Sequence, residues 1–415
     1  MEKYKGLTMP CRQKFPVVNF RKLCAYYCKN EEKWYNVSII KLIVAGTAAK
    51  QSAQKGSGMM TAKDILRDLV AINTIADKDN DLIMNYIEKH FADLGFNVER
   101  RKNHDTGKEV LTAKYGDDPA LGFLGHTDTV DITAGWETDP FTLTEKNGNL
   151  YGLGSCDMKG GLAAVMAAVS NIKLSELKRG LAVYCTYDEE IMFNGVKDLI
   201  DAQTEFPPRV LVAEPTDLIP MIGSKGLLEY IFTFSGVTTH SSTPIDGKSS
   251  NKNAVRFLNR MMDFEEELRK TPSPFFGVPY PTMNIGIIEG GTSINKVPDK
   301  TTVYLDFRIC DSSREYPLIR AAVDKALEGL DGEYTIINDI ASFQNNSDLV
   351  KYYEERTGKK GQPFFGITEA SFFEGDRVIL GPGPMTAHEA NEHISEESLN
   401  KTVDIYTDII NKLCR

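Results

Sequence analysis

The chain has 415 residues, 41% of them hydrophobic and 26% charged, enough for two domains with full cores and the surface charge of an ordinary globular protein. A formal net charge of −10 argues against a nucleic-acid partner, and no uninterrupted apolar run reaches membrane-spanning length. Seven cysteines, at 11, 24, 28, 156, 185, 310 and 414, are odd in number and lack paired zinc-ribbon spacing, which speaks against a disulfide framework and for a reducing cytoplasm.

Residues 1 to 58 stand apart, with Lys and Arg outnumbering Asp and Glu eleven to three. Cys24 and Cys28 sit a helical turn apart, a spacing open to a metal or redox pair and equally to coincidence. Residues 37 to 45 resemble a signal-peptide core followed by small residues, but Lys41 interrupts it. A disordered extension or a non-native start is the favoured reading, because residues 59 to 64 look like the natural start of a first helix with Thr61 as its cap. From there the periodicity predicts helices over 61–72 and 80–94, a strand over 109–114, a buried strand over 121–125, a helix over 159–171, a strand over 181–186, a helix over 193–203 and a strand over 209–213. This is the alternation of a three-layer α/β domain. Around Gly223 the character changes. A strand over 227–234, a helix over 251–270, strands over 283–288 and 302–308 and a helix over 317–330 suggest a β-α-β-β-α-β insert at 223–341. The first domain, begun at 59–222, resumes at 342–415 through a helix over 347–356 and the strand leading to His388.

The residues that can carry chemistry gather at the ends of these strands. His126 and Asp128 follow the strand over 121–125, where open α/β sheets hold their ligands. An imidazole there can bind a metal while the carboxylate fixes its tautomer, although a capping pair would use the same residues. Asp157 lies in a Gly-rich turn at a helix start, where an N-cap also belongs. Asp188, Glu189 and Glu190 close the strand over 181–186, and three consecutive acids repel unless a positive charge sits among them. Glu214 closes the next strand. His388 follows an apolar strand and a Gly/Pro turn, with His393 as its competitor. Each has a plain structural explanation, but coincidence at four successive junctions delivering His126, Asp157, Glu190 and Glu214 to one edge is improbable. Carboxylate oxygens and imidazole nitrogens without a thiolate suit two zinc ions a few ångströms apart, with a bridging water that becomes nucleophilic near neutral pH.

In order and spacing these motifs resemble the dinuclear zinc amidohydrolases and exopeptidases, the family of acetylornithine deacetylase, succinyl-diaminopimelate desuccinylase, aminoacylase and carboxypeptidase G, over roughly residues 60 to 415. The resemblance implies a three-layer zinc-exopeptidase-like catalytic domain, an inserted α+β ferredoxin-like lid and dimerisation domain, and a homodimer. It implies two Zn2+ per chain, with Co2+ or Mn2+ able to stand in. Asp157 bridges them, Glu190 and His388 complete one site, and His126 and Glu214 complete the other. It also implies a cis peptide between Asp157 and Met158. Glu189 becomes the general base, with an ordinary supporting carboxylate as the alternative, and Asp128 orients His126. In the insert, His240 matches a histidine that crosses the dimer interface and stabilises the oxyanion. Asn295 and Arg308 match residues that hold a substrate carboxylate, a task suited to the planar guanidinium fork; an ion pair within the sheet is the alternative for Arg308.

The segments 136–143, 279–284 and 366–370 resemble the acetylornithine branch of the family more than the desuccinylase branch. Glu369, in Thr368-Glu369-Ala370, would favour a substrate with a cationic side chain if it reached the pocket. The departures are Ile367, where a small turn residue is expected, and the wording of 384–387. The expected reaction is hydrolysis of an N-acyl amino acid, N-acetylornithine foremost, with a desuccinylase, a dipeptidase or a carboxypeptidase as runners-up. A catalytically dead binding protein is the alternative of another class. It would be expected to lack a ligand or the base, and every position here carries an acceptable residue.

Overall fold

The computed structural model describes residues 60–415; the basic segment 1–58, with its signal-like stretch and its Cys24 and Cys28, lies outside them. In chain order the elements are α1 (Ala62–Val70), α2 (Asp81–Asp93), β1 (Asn97–Lys102), β2 (Glu109–Tyr115), β3 (Pro119–His126), β4 (Thr144–Lys146), β5 (Asn149–Tyr151), α3 (Lys159–Ser170), β6 (Gly180–Thr186), α4 (Asn194–Asp201), β7 (Arg209–Val212) and β8 (Met221–Ser224). There follow β9 (Gly226–Ser235), α5 (Ser250–Leu268), β10 (Thr282–Gly290), β11 (Lys300–Ile309), α6 (Ser312–Leu327), β12 (Gly332–Ile340), β13 (Phe343–Gln344), α7 (Asp348–Thr357), β14 (Gln362–Phe364), β15 (Asp376–Ile379), β16 (His393–Ser395) and α8 (Glu396–Cys414). Thr61 caps α1 as the sequence suggests, its side chain accepting from the Asp64 N–H in a full capping box.

The large sheet runs β1-β2-β6-β3-β7-β15-β8-β13, with β14 beside β8. Its centre, β6-β3-β7-β15, is parallel throughout. Both faces are covered, so the central strands read as unbroken apolar runs. Phe123 and Val183 join the core beneath α1, α3 and α8, whereas Leu124 and Tyr184 join a separate core on the other face with Leu199 of α4. This is the expected three-layer arrangement.

Between β8 and β13, which pair with each other, the chain builds a second sheet in the order β10-β11-β9-β12. Alternate residues of β9, from Leu228 to Phe234, pack with Phe257 and Met261 of α5 and with Ile319 and Val323 of α6 in a core of their own. The β-α-β-β-α-β order is the ferredoxin-like pattern. The expected limits at 223 and 341 fall within β8 and just before β13. Helix α6 begins five residues earlier than its expected start at Pro317, because Asp311 caps it by accepting from the N–H groups of Ser313 and Arg314.

Candidate metal centre and active site

Four adjacent parallel strands end on one edge, and that edge collects the acids and histidines. His126 is the last residue of β3, Glu189 and Glu190 follow β6, Glu214 follows β7, and His388 lies on the loop after β15. Asp157 arrives differently. It comes from the turn between β5, in a small separate sheet, and α3, rather than from the end of a strand in the main sheet. The first turn of α3, directly after it, is held tightly against the end of β7, since a Cβ at Gly161 would lie 1.8 Å from the Ala213 carbonyl oxygen, one residue before Glu214. The Asp157–Met158 peptide is cis.

The two carboxylate oxygens of Asp157 face different histidines. Oδ1 lies 3.1 Å from Nε2 of His126, and that nitrogen is 3.8 Å from Oε1 of Glu214. Oδ2 lies 3.6 Å from Nε2 of His388, which is 2.9 Å from Oε2 of Glu190. One ligating atom from each of His126, Asp157 and Glu190 fits within a 4.8 Å span. The histidine contacts thus fall into two sets that share Asp157, while this metal-sized group draws one residue from each set besides Asp157. His393 is outside them, its ring packed at a tilt against Tyr151 and its Nδ1 near the Asn391 carbonyl.

The electrostatics of the cluster favour bound cations. Burial pushes the Glu189 and Glu214 carboxyls well above their usual range, and their acidic neighbours push the same way while His126 opposes. Burial also raises Glu190, against its hydrogen bond with His388. Oε1 of Glu190 and Oε1 of Glu214 are buried with no hydrogen-bond partner. Buried acids crowded together with unpaired oxygens are unfavourable alone, and divalent cations satisfy them with an all-oxygen and imidazole donor set. The residues fit metal ions.

Asp128 does more than the sequence suggests. Nδ1 of His126 is closer to the Asp128 backbone carbonyl, at 3.1 Å, than to its carboxylate, at 3.5 Å. The carboxylate accepts the backbone N–H groups of Glu189 and Glu190, both at 3.3 Å, so Asp128 ties the acid pair to the His126 strand end. Burial disfavours its charge, but the hydrogen bond and charge of His126 outweigh that and hold its pKa below the usual carboxylate range.

Glu392 is a residue that the sequence reading assigned no role. Its buried carboxylate accepts the N–H groups of Gly154 at 2.7 Å and of Cys156 and Asp157 at 2.8 Å. It thereby clamps the Asp157 turn to the segment carrying His388. The only available signal was an acid four residues past His388 in a polar loop, which reads as exposed. Lys108 is a second such residue, its ammonium paired with Asp188 immediately before Glu189.

The remaining candidates do not line the cavity beside the acids. His240 is exposed, with Nδ1 2.7 Å from Oγ of Ser242. Asn295 is exposed and accepts from Ser293. Arg308 makes a two-pronged ion pair with Asp306 of its own strand, both contacts at 2.9 Å. Glu369 is fully buried, neither of its oxygens has a hydrogen-bond partner, and it does not line the cavity of about 440 Å3 beside the acids. Burial pushes its carboxyl up to about 7. The turn Glu369–Phe372 sets it near Thr186, behind the cluster and close enough for its charge to act on His126, Asp128, Glu189 and Glu214.

Comparison with known proteins agrees with this architecture. The profile of Peptidase family M20/M25/M40 matches residues 122–412. An acetylornithine deacetylase from Photorhabdus laumondii is 32% identical over 377 residues, covering 85% of this chain and 97% of its own length. A Staphylococcus aureus tripeptidase shares the fold with a TM-score of 0.69 at 23% identity, over 86% of this chain and 99% of its own. A Bacillus subtilis dinuclear metal-binding peptidase of the M20 family does so at 0.61 and 14% identity, over 84% and 97%. With its strand-edge acids and histidines inside the matched region, the chain belongs to peptidase family M20/M25/M40, a family of metal-dependent hydrolytic enzymes.

Proposed function

We propose that the protein hydrolyses the amide bond of an N-acyl amino acid, using two zinc ions held by His126, Asp157 and Glu214 on one side and by Asp157, Glu190 and His388 on the other. The observation that carries this is the division of Asp157, one oxygen toward each histidine. Bound there, the ions supply Lewis acidity toward the scissile carbonyl and lower the pKa of an attacking water. Glu189 lines the same cavity and takes the proton from that water as its oxygen bonds to the amide carbon. It then delivers the proton to the leaving nitrogen as the C–N bond breaks. A carboxyl raised by burial suits that transfer, since it is a better base than a solvated one.

The Photorhabdus relative makes N-acetylornithine the first substrate to test. The insert is read as a dimerisation and lid domain. Its edge strand β10 exposes Ile287 and Ile288, and α5 exposes Val255 and Met262, apolar surface suited to a second copy of the chain. In that dimer His240, which does not line its own cavity, would serve the partner's site as a donor to the carbonyl oxygen, and Asn295 and Arg308 would take the substrate carboxylate. The four described cysteines are free and buried, which supports a reducing compartment, the cytoplasm. No described helix is long and apolar enough to cross a membrane. Steady-state rates with N-acetyl amino acids, N-succinyl-diaminopimelate and dipeptides test the reaction. Turnover of acetyl derivatives ahead of the others is expected, and exclusive cleavage of dipeptides would make the protein a peptidase instead.

A further inference from the structure

The cavity beside the acids has a wall that the hydrolytic chemistry does not use. Phe364 lines it from the end of β14, Phe365 and Ile367 from the segment that follows, Ile191 and Phe193 from the loop after Glu190, and Met385 from the loop before His388. Phe365 is 81% exposed and Ile191 55%, so the fold leaves large apolar side chains uncovered where they adjoin the candidate site. The Phe364 and Phe365 rings pack with centroids 4.7 Å apart. Phe193 has φ of 57°, a conformation a bulky residue keeps only when its surroundings impose it.

The acids lining this cavity are Asp157, Glu189, Glu190 and Glu214, and each already has a part in the chemistry. Glu369, the acid that could have paired with a cationic side chain, is buried outside the lining. A cationic group entering here would lose hydration without direct contact with an uncommitted acid, since Glu369 lies behind the lining, whereas an apolar group gains by leaving water.

We propose that the substrate carries a bulky apolar group beside the scissile amide, seated against Phe193, Phe364, Phe365 and Ile367. This rests on the amidohydrolase reading above. The group is either the amino-acid side chain or the acyl chain, and the test separates the two. With the metal-loaded full chain, kcat/KM is measured for N-acetylglycine, N-acetylmethionine, N-hexanoylglycine and N-acetylornithine. N-acetylmethionine, for a side-chain seat, or N-hexanoylglycine, for an acyl seat, should exceed N-acetylglycine by roughly ten- to a hundredfold, and N-acetylornithine should fall below the better of the two. Phe365→Ser and Ile367→Ser should each compress that ratio several-fold, with thermal melting to verify folding. N-acetylornithine ahead of both apolar substrates, or a ratio that neither substitution moves, would overturn the inference while leaving the amidohydrolase reading intact. If no N-acyl amino acid, N-acetylglycine included, is hydrolysed by protein of verified metal content, both fall together.

Discussion

Glu392 offers a sharp perturbation because its role is visible in three hydrogen bonds. The carboxylate accepts from Gly154, Cys156 and Asp157 at 2.7–2.8 Å in a site where the residue is 2% exposed. Glu392→Ala would leave these backbone donors without their acceptor, at about 1–3 kcal/mol for each one that water cannot reach. A loss of about 3–6 kcal/mol is expected, a large share of the roughly 5–15 kcal/mol that holds a typical domain. Glu392→Gln keeps the shape and one acceptor oxygen, but its amide NH2 faces a donor, so about 1–3 kcal/mol is expected. Burial pushes the Glu392 carboxyl up to about 7 against the pull of the three donors, so the assays belong at pH 8, where the carboxylate prevails. Urea denaturation of metal-free protein gives the stability change, and calorimetric zinc titration reads the effect on the Asp157 turn. Because the clamp joins that turn to the His388 segment, Glu392→Gln should weaken zinc binding at least tenfold while the protein still folds. Unchanged zinc affinity together with stability within about 0.5 kcal/mol of wild type would refute the reasoning.

Glu189→Gln should keep both metals, by elemental analysis, yet lose on the order of 10²–10⁴-fold in kcat; near-normal turnover would mean another group activates the water. Glu369 gives a pH test, since its pKa rises from 4.5 to about 7 on folding. The stability this raised group contributes is present below the unfolded value and lost as pH climbs through 7, so metal-free wild type should lose up to about 3 kcal/mol relative to Glu369→Gln between pH 4 and pH 8. A difference in denaturation free energy that stays constant across that range would contradict it. His240→Ala should lower kcat far more than it raises KM and leave metal content intact, and mixed dimers with Glu189→Gln should regain part of the activity. Demonstrably exchanged dimers that stay inactive would assign His240 to its own chain or to no role.

Much of the fold was legible because its elements follow their periods: the central strands are buried on both faces and read as apolar runs, and β9 alternates cleanly against one core. Strand β1 escaped because its residues, Asn97–Lys102, are a polar run on the sheet edge. The strand-end location of His126, Glu190 and Glu214 was readable because each apolar run stops at a charged residue. What was not readable is direction. Glu369 and Glu392 are both acids in loops, and only the folded chain reveals that one is set behind the cluster and the other into a nest of backbone donors. Similarly, nothing in the sequence singles out Phe364 and Phe365, although they border the cavity.

The central claim is that two cations on a shared Asp157 make this cluster a hydrolase. Metal-free protein, verified by elemental analysis, is to be assayed against N-acetyl amino acids while zinc is added stepwise. No turnover before addition, and a rise that saturates at two zinc ions per chain, is the predicted result. Turnover in the verified metal-free protein, or full activity with a single ion bound, would contradict it.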